Sequence, residues 1–257
     1  MINGKKILSV ITARAGSKGI PLKNVRELLG KPLVKWSMEA SLASKYIDLT
    51  VVSSNCEKVS EVYLKYLLEL NKDVRTDDEF WYVSRPEKYA TDTSKNEEAV
   101  IYSMEQVKFF HALEFSAVIN LQPTSPCRLD GLIDKCLEEY YNGDYDSLLT
   151  ATRTTPFLWR KINGKWEYTV DKNDCCNRKM RQEFEESETE KDSEFVFHDC
   201  GSIYITDTKI MIDTECRIGQ KPCIFTVEGI NSLQIDTEFD FLLIENMAKA
   251  YNLKNLI

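Results

Sequence analysis

The sequence predicts an α/β protein with a mostly parallel sheet and helices on both of its faces. Three short apolar runs rich in β-branched residues are typical of buried parallel strands, and they cover residues 6–12, 49–54 and 116–122. Apolar residues at helical spacing separate these runs, and such alternation predicts parallel βαβ units. Ligands of parallel sheets bind at the carboxyl ends of the strands, so the loops there are candidates for a functional site.

Three helices are predicted between and beside these strands. Residues 31–46 carry apolar side chains at mostly helical spacing, and Pro32 lies near the start, where proline is tolerated. Residues 57–70 have their apolar side chains weighted to one side. A third helix is predicted over residues 96–110, with Ser94 as its N-cap. Residues 72–95 show no regular pattern and are interpreted as irregular structure.

Length, charge and cysteine spacing narrow the class of protein. The chain has 257 residues, which suits one domain over residues 1–257. Its net charge of −8 argues against a surface that coats nucleic acid or a membrane, since both need broad positive fields. Eight cysteines without a C-x-x-C pair and only two histidines give no zinc pattern. With no run of about 20 apolar residues and no signal-peptide pattern, we expect a cytoplasmic protein.

A hairpin and an acidic stretch interrupt the second half of the chain. Asn163 and Gly164, a familiar turn pair, lie among the aromatic residues of "TRTTPFLWRKINGKWEYTV". A hairpin that breaks an α/β pattern often projects from its domain, so residues 154–172 are interpreted as an arm that packs on a second subunit. Residues 183–194 carry seven acidic side chains against one lysine, which predicts a solvated loop.

The first loop, "TARAGSKGIPLKN", combines glycines with cations just after the first predicted strand. Gly16 and Gly19 permit close approach of the backbone to a ligand, and positive charge comes from Arg14, Lys18 and Lys23. The pattern is neither a P-loop nor a dinucleotide fingerprint. The residues alone therefore leave two interpretations, a solvated turn or a loop that binds an anion such as phosphate.

Several blocks of sequence form an ordered set along nearly the whole chain. They are "ARAGSKGIPLKNV" with "GKPLVKWSMEAS", then "RPEKYATDTS", "NLQPTSPCR", "RQEF", "CGSIYI" and "IDTEFDF". In content and order these blocks resemble the acylneuraminate cytidylyltransferases, the family of CMP-sialic acid synthetases. The resemblance implies a Rossmann-like fold and transfer of CMP from CTP to the anomeric hydroxyl of a nine-carbon α-keto acid sugar, with release of pyrophosphate. It also implies a divalent cofactor, Mg²⁺ or Mn²⁺, and a homodimer.

The resemblance further implies roles for residues on the nucleotide side. Arg14 and Lys23 are expected to contact the triphosphate and to act as catalytic residues, while Arg85 is expected to contact the cytidine. The implied nucleotide-binding set is Arg14, Ala15, Gly16, Ser17, Lys18, Lys23, Asn24, Arg85, Ser94 and Asn96. Without the resemblance, Arg85 fits a surface charge. Asn96 departs from the small hydroxyl residue that the family pattern has there.

On the sugar side, the resemblance implies contacts from Gln122 and Thr124 of "LQPTSPCR", and from Arg181 and Tyr204. The carboxylate of a keto acid suits the forked guanidinium of arginine better than a lysine. Each candidate has an ordinary structural alternative. The two prolines of "LQPTSPCR" suit a rigid corner, Arg181 suits a helix surface, and Tyr204 suits the core.

One carboxylate, that of Asp236, is the candidate metal ligand and the third catalytic candidate. The family pattern D-x-D-T-E has two aspartates that alternate on a strand and so face the same side. Here the stretch is "SLQIDTE", with Gln234 in the first position, and a neutral amide binds Mg²⁺ more weakly than a carboxylate. The alternative is a helix N-terminus in which Asp236, Thr237 and Glu238 are capping groups.

Other departures from the family bear on the sugar. "FHDCG" has His198 and Cys200 where the family has a basic residue and an asparagine, and Leu158 stands where some sialate-specific members have a lysine. These differences favour a legionaminate- or pseudaminate-type sugar over N-acetylneuraminate. The alternatives are a cytidylyltransferase for another ulosonic acid or a sugar phosphate, a non-catalytic homologue that binds nucleotide or acid sugar, and a structural dimer that binds anions incidentally.

Overall fold

A seven-stranded sheet forms the centre of the protein in a computed structural model. The structure describes residues 1–16, 19–73, 77–129, 131–154, 158–168 and 196–253. The strands are β1 (Ile7–Thr12), β2 (Glu27–Leu28), β3 (Lys31–Pro32), β4 (Leu49–Ser54), β5 (Phe80–Ser84), β6 (Ala117–Leu121), β7 (Ser147–Thr154), β8 (Trp159–Ile162), β9 (Lys165–Tyr168), β10 (Val196–Asp207) and β11 (Pro222–Thr226). The α-helices are α1 (Leu33–Leu42), α2 (Glu57–Glu69), α3 (Asn96–His111), α4 (Leu132–Asn142), α5 (Thr208–Thr214) and α6 (Glu238–Ala250).

The order of strands confirms the predicted parallel core. Across the sheet the order is β5–β4–β1–β6–β10–β7–β11. β1 pairs in parallel with β4 and β6, and β4 pairs in parallel with β5. β10 runs antiparallel between β6 and β7, and β11 pairs in parallel with β7. The four parallel strands β5, β4, β1 and β6 therefore present their carboxyl ends at the same edge of the sheet.

Helices cover both faces of the sheet, as predicted, because alternate residues of β1 pack on opposite sides. Ile7 and Ile11 belong to a buried cluster with apolar residues of α1, α2 and α4. Leu8 and Val10 belong to a second cluster with residues of α3 and with Met211 of α5. Full burial of such a side chain contributes roughly 1.5–3 kcal/mol to stability. Among the described helices, none combines the length and hydropathy needed to span a bilayer.

The predicted helices are confirmed, and two details of the prediction are wrong. The segment 72–95 is not irregular throughout, because "FWYVS" forms β5 beside β4. Its five residues are too few, among charged neighbours, to stand out in the sequence. Ser94 is not the N-cap of α3. Lys95 occupies that position without a side-chain bond, and the Ser94 hydroxyl instead donates to the Lys88 carbonyl at 2.9 Å.

The predicted hairpin is present as β8 and β9, a separate two-stranded antiparallel sheet. Asn163 and Gly164 connect the strands with φ values of 50° and 80°, as a type I′ turn requires. That this arm joins two subunits stays a prediction. The predicted acidic loop, residues 183–194, lies outside the described residues.

Candidate active site

A cavity of about 430 Å³ opens at the edge of the sheet where the parallel strands end. Thr12 is the last residue of β1, Arg85 follows β5 and Gln122 follows β6, so three strand ends contribute to its wall. The lining residues are Thr12, Arg14, Gly16, Gly19, Lys23, Asn24, Arg85, Tyr89, Thr91, Asp92, Ser94, Lys95, Asn96, Gln122, Pro123, Thr124 and Asp236. This is the edge at which the sequence predicts a ligand site.

Ten of the predicted site residues come together in this cavity. They are Arg14, Gly16, Lys23, Asn24, Arg85, Ser94, Asn96, Gln122, Thr124 and Asp236. Two others, Ala15 and Tyr204, are not among the lining residues. Ser17, Lys18 and Arg181 lie outside the described residues. The structure thus brings the predicted nucleotide side and part of the predicted sugar side into one space, and the role of each residue stays a prediction.

Two asparagines hold the loop that follows β1. The Ala15 backbone N–H donates to Asn55 Oδ1 at 2.8 Å, and Asn24 Nδ2 donates to the Arg14 carbonyl at 2.9 Å. Asn24 is buried, so its amide supports the loop from beneath. Backbone that is already fixed at residues 14 and 15 loses little conformational freedom there when a ligand binds, and this favours affinity.

Contacts with residues 233–236 close one side of the cavity. Lys23 Nζ donates to the Ile235 carbonyl at 2.7 Å and lies 3.3 Å from Asp236 Oδ1. Gly19 passes so close to this segment that a Cβ built on it would lie 2.3 Å from the Asp236 carbonyl oxygen. A side chain at position 19 would therefore push the loop and the segment apart.

The cavity carries more positive than negative charge. Its ionisable lining residues are the cations Arg14, Lys23, Arg85 and Lys95 and the carboxylates Asp92 and Asp236. Arg14 Nη1 donates to the Thr91 carbonyl at 2.6 Å and lies 3.2 Å from Asp92 Oδ1. A protein with a net charge of −8 thus concentrates cations at one site, which suits a ligand with several negative charges.

Arg85 is the buried cation of this cavity. Only 5% of the residue is exposed, and its backbone N–H donates to the Ser54 carbonyl at 2.9 Å. The side-chain atoms Nε and Nη2 have no hydrogen-bond partner among the described residues. Burial, and then the charge of Arg14, lowers the pKa of Arg85 to about 10, so the guanidinium is still charged at neutral pH. Buried donors without acceptors indicate a ligand that supplies them.

Asn96, the first residue of α3, is tied to the centre of the sheet. Its Nδ2 donates to Asn120 Oδ1 at 2.6 Å, and Asn120 Nδ2 donates to the Val10 carbonyl at 3.0 Å. This chain of amides passes from the cavity wall through β6 to β1. Sequence reasoning did not assign a role to Asn120, since an asparagine within an apolar strand gives no spacing signal.

The loop after β6 is held by a buried arginine that sequence reasoning also missed. Arg128 is 6% exposed, and its guanidinium donates to the Gln122 carbonyl, to the Ser202 carbonyl and to Ser37 Oγ, at distances of 2.8–3.0 Å. Ser125 Oγ donates to the Cys200 carbonyl at 3.3 Å. The two prolines predicted a rigid corner here, and these bonds show what the corner rests on.

The partner of that loop is a bulge in β10. The register with β7 shifts between Asp199 and Tyr204, and Gly201 has a left-handed φ of 63°. The Tyr204 hydroxyl donates to both Asp199 oxygens at 2.8–2.9 Å, and the Arg217 guanidinium lies 4.8 Å from the Tyr204 ring centre. Burial, and then the Asp199 charge, raises the Tyr204 pKa. This placement fits the core alternative for Tyr204, and its contact with sugar stays a prediction.

Gln234 and Asp236 do not alternate on a strand, and that expectation is wrong. Residues 233–237 form an irregular segment between a 3-10 turn, Gly229–Ser232, and the start of α6. Gln234 Nε2 donates to Thr124 Oγ1 at 3.2 Å, whereas Asp236 lines the cavity. Thr237 caps α6 in a capping box with Asp240, so the alternative of a helix start is confirmed for Thr237, with Asp240 rather than Glu238 as its capping partner.

A divalent ion could be held here only together with a ligand. Within the described residues, no group of three or more carboxylates, histidines and cysteines is arranged for a metal. Asp236, with 67% of its side chain exposed, offers one carboxylate to the cavity. Mg²⁺ commonly takes one or two protein carboxylates and completes its shell with phosphate oxygens and water. The residues present therefore fit a metal that binds with a polyphosphate.

Two of the residues whose departure from the family bears on the sugar lie on β10, and the third lies just before β8. His198 is exposed and pairs with Thr152 of β7, while Cys200 is buried with its Sγ 3.1 Å from the Thr150 carbonyl. Leu158, just before β8, is 57% exposed. These three residues lie outside the set that lines the cavity, so the structure gives no contact that assigns them to the sugar.

The fold and the cavity together define a class of protein. A cavity rich in cations, at the carboxyl ends of parallel strands, is typical of nucleotide-binding α/β proteins. The chain belongs to the cytidylyltransferase family, whose sequence model matches residues 8–192. It is therefore a nucleotidyltransferase, as its sequence predicts.

Individual relatives agree with the family. The chain is 29% identical over 246 residues to CMP-N,N'-diacetyllegionaminic acid synthase of Legionella pneumophila, covering 94% of this chain and 96% of that one. It is 25% identical over 244 residues to N-acylneuraminate cytidylyltransferase A of Danio rerio, of which it spans 50%. A solved structure of CMP:2-keto-3-deoxy-manno-octonic acid synthetase with CTP superimposes with a TM-score of 0.64, at 13% identity, over 96% of this chain and 99% of that one. That superposition confirms the Rossmann-like fold.

Proposed function

We propose that the protein transfers CMP from CTP to the anomeric hydroxyl of a nine-carbon α-keto acid sugar and releases pyrophosphate. The observation that carries the proposal is the cation-rich cavity with buried Arg85, whose Nε and Nη2 have no hydrogen-bond partner among the described residues, in a chain of the cytidylyltransferase family. The similarity to a legionaminate synthase and a neuraminate cytidylyltransferase supports the class of sugar.

In the proposed reaction, the loop after β1 and the start of α3 hold the nucleotide. Arg14 and Lys23 bind the triphosphate, together with the backbone of residues 15–18. Arg85 and Asn96 face the cytidine, with Ser94 beside them and Asn24 supporting the loop. Both groups line the same cavity, so one nucleotide can reach them together.

The proposed chemistry is an in-line displacement at the α-phosphorus. The anomeric oxygen of the sugar forms a bond to this phosphorus, the bond to the bridging oxygen of the β-phosphate breaks, and the hydroxyl proton passes to water. Most of the catalysis then comes from orientation and from charge stabilisation. Arg14 and Lys23 stabilise the charge that develops on the phosphates. Removal of one such contact typically costs about a hundredfold in rate.

We propose Mg²⁺ or Mn²⁺ as the cofactor, with Asp236 as its protein ligand. When bound, the ion neutralises charge on the phosphate oxygens. Lys23, 3.3 Å from Asp236 Oδ1, keeps that carboxylate at the cavity.

On the sugar side, we propose Gln122 and Thr124 as contacts and Arg181 as the partner of the sugar carboxylate, with Tyr204 as a further candidate. The sugar is proposed to be of the legionaminate or pseudaminate type. His198, Cys200 and Leu158 support this choice by their departure from the sialate-specific pattern, and the similarity to the Legionella pneumophila synthase agrees with it.

The proposal extends to assembly and location. We propose a homodimer in which residues 154–172 form the dimerising arm of a single nucleotidyltransferase domain. We propose a cytoplasmic location, as the sequence predicts. Deletion of residues 158–168 is expected to convert a dimer into a monomer in light scattering after gel filtration. A mass unchanged by the deletion would contradict the role of the arm.

The test of the function is pyrophosphate release from CTP with Mg²⁺ or Mn²⁺ and each sugar of a nonulosonate panel. We expect release with a legionaminate- or pseudaminate-type sugar and a CMP-sugar product of the matching mass. A clear preference for N-acetylneuraminate would overturn the proposed sugar type. CTP binding without pyrophosphate release from any sugar would instead identify a non-catalytic homologue.

A further inference from the structure

Arg128 lies directly behind the cavity wall without touching the cavity itself. Its Nη2 donates to the Gln122 carbonyl at 2.8 Å, and Gln122 is a lining residue. Nε and Nη2 both donate to the Ser202 carbonyl, at 3.0 and 2.8 Å, and Nη1 donates to Ser37 Oγ at 3.0 Å. One guanidinium therefore joins the loop after β6, the bulge of β10 and helix α1.

Among the described residues, the acceptors of this buried cation are two backbone carbonyls and a serine hydroxyl, all of them uncharged. Burial lowers the pKa of Arg128 to about 9, because the surroundings disfavour the charged form. A buried charge without a carboxylate partner is costly for folding stability, and apolar replacements of buried charges are often no less stable. Stability alone therefore does not explain an arginine here, whereas a forked donor that fixes two backbone carbonyls does.

The bonds of Arg128 converge on the residues that shape the wall. The Gln122 carbonyl also accepts the Ser125 backbone N–H at 3.1 Å, which closes the turn. The Thr124 carbonyl accepts the Ile235 N–H at 2.8 Å, and Thr124 Oγ1 accepts Gln234 Nε2. The turn held by Arg128 is therefore also the support for the segment that ends in Asp236.

We propose that Arg128 is a positioning residue for the transfer reaction, which holds the Gln122–Thr124 wall in the geometry that receives the acid sugar. This inference rests on the proposed function, because it uses the sugar side of the cavity. It predicts that loss of the guanidinium weakens use of the sugar far more than use of CTP, whose proposed contacts lie on the loop after β1, at Arg85 and at the start of α3.

The first experiment compares Arg128→Lys and Arg128→Met with wild type and with Ser125→Ala. The control removes another hydrogen bond between the same loop and bulge, Ser125 Oγ to the Cys200 carbonyl, without removing charge. We expect KM for the acid sugar to rise about tenfold in Arg128→Lys and thirtyfold or more in Arg128→Met, with KM for CTP within threefold of wild type. Ser125→Ala is expected to lower Tm slightly and to leave both KM values within twofold.

A purely structural role gives a different result. Tm would fall in both Arg128 variants while KM for the sugar, measured below Tm, stayed within twofold of wild type, and this would overturn the proposal. An equal rise in KM for CTP and sugar would also overturn it. If Arg128→Met does not fold, the test uses Arg128→Lys, which keeps the positive charge but lacks the forked guanidinium. Its KM values for sugar and CTP then decide between a positioning role and a purely structural role.

Amide hydrogen exchange separates this inference from the proposed function, because it needs no substrate. In the Arg128 variants, the amides of Ser125 and Ile235 are expected to exchange at least tenfold faster, while amides of β1 keep their rates. Wild-type rates at Ser125 and Ile235, or equal acceleration everywhere, would overturn the positioning role. Failure of wild type to form product from any sugar would overturn the proposed function while this exchange result still stood.

Discussion

Two buried arginines follow strands that end at the same edge of the sheet, but their hydrogen-bond partners differ. Arg85 follows β5 and is 5% exposed, and its Nε and Nη2 have no partner among the described residues. Arg128 follows β6 and is 6% exposed, and every nitrogen of its guanidinium donates to a carbonyl or hydroxyl. Arg85 lines the cavity, whereas Arg128 lies behind it.

The difference separates ligand-facing groups from scaffold. An unpartnered buried donor destabilises the fold until something binds to it, so its presence indicates a ligand site. A buried donor with all its acceptors in the protein fixes geometry and indicates a support. Substitutions in the ligand-facing region around Arg85 should therefore change ligand affinity. Substitutions in the supporting region around Arg128 should change the geometry of the cavity wall and the stability of the fold.

The largest effect is expected for Arg85→Met. Loss of a buried charged contact costs about 2–5 kcal/mol of binding, so CTP affinity should fall at least about thirtyfold. Because the unpaired charge is gone, Tm should stay level or rise. Calorimetric titration with CTP and a thermal melt check both results. A lower Tm with unchanged affinity would break the comparison, since Arg85 would then be a support.

The next largest effect is expected for Gly19→Ala, at the place where the loop after β1 contacts the segment 233–236. The new Cβ would lie 2.3 Å from the Asp236 carbonyl oxygen, so the loop and the segment 233–236 must separate. We expect a loss of about 1–3 kcal/mol in unfolding free energy, as in overpacked cores, and about a tenfold loss in kcat/KM.

The matched control for stability is Gly16→Ala, where a Cβ would meet no heavy atom within 4 Å. Urea unfolding of the two variants isolates the contact with Asp236. Equal stability of Gly16→Ala and Gly19→Ala would contradict the close approach.

A smaller effect is expected for Gln234→Asp. The substitution breaks the bond from Gln234 Nε2 to Thr124 Oγ1 and adds a carboxylate two positions before Asp236 in the sequence. Carboxylates bind Mg²⁺ better than amides, so the Mg²⁺ concentration at half-maximal activity should fall a few fold. Titration of activity with Mg²⁺ at fixed CTP measures this, and Gln234→Asn is the neutral control. An identical Mg²⁺ response in both variants would mean that position 234 only supports the cavity wall and takes no part in metal binding.

The smallest effect is expected for Thr237→Ala, in the scaffold. Loss of the N-cap should reduce the unfolding free energy by about 1 kcal/mol at pH 7. The Thr237 side chain holds the pKa of Asp240 below its ordinary value of 3.8. A lowered carboxyl pKa stabilises the fold above pH 4, and this stabilisation is lost as the pH falls through the lowered pKa. In urea titrations, the difference in unfolding free energy between Thr237→Ala and wild type should be smaller at pH 3 than at pH 7.

The central strands and helices were predictable because their sequence periods are local. The runs at residues 6–12, 49–54 and 116–122 are mostly apolar and short, as is typical of buried parallel strands. The antiparallel place of β10 was not predictable, since pairing of Tyr204 with Asn120 depends on contacts between distant segments.

The candidate site was predictable where motifs resemble the family, as for Arg14 and Lys23. The bonds that organise it were not, because no spacing rule relates Lys23 to Asp236 over 213 positions. Arg128 gives the same lesson. An arginine before a helix suggests a solvated charge, and only the folded loop shows that it is enclosed.

The bond between Lys23 and the Ile235 carbonyl, which spans 212 positions of sequence, has a consequence for synthesis of the protein. Ribosomes add about 5–20 residues each second, so the cationic loop emerges roughly 10–40 s before the segment that closes against it. During that interval a nascent chain exposes its cations without a complete enclosure. The contact between the cationic loop and the segment that ends in Asp236 therefore forms only after translation has passed residue 236, and a stalled, truncated chain lacks this wall of the cavity.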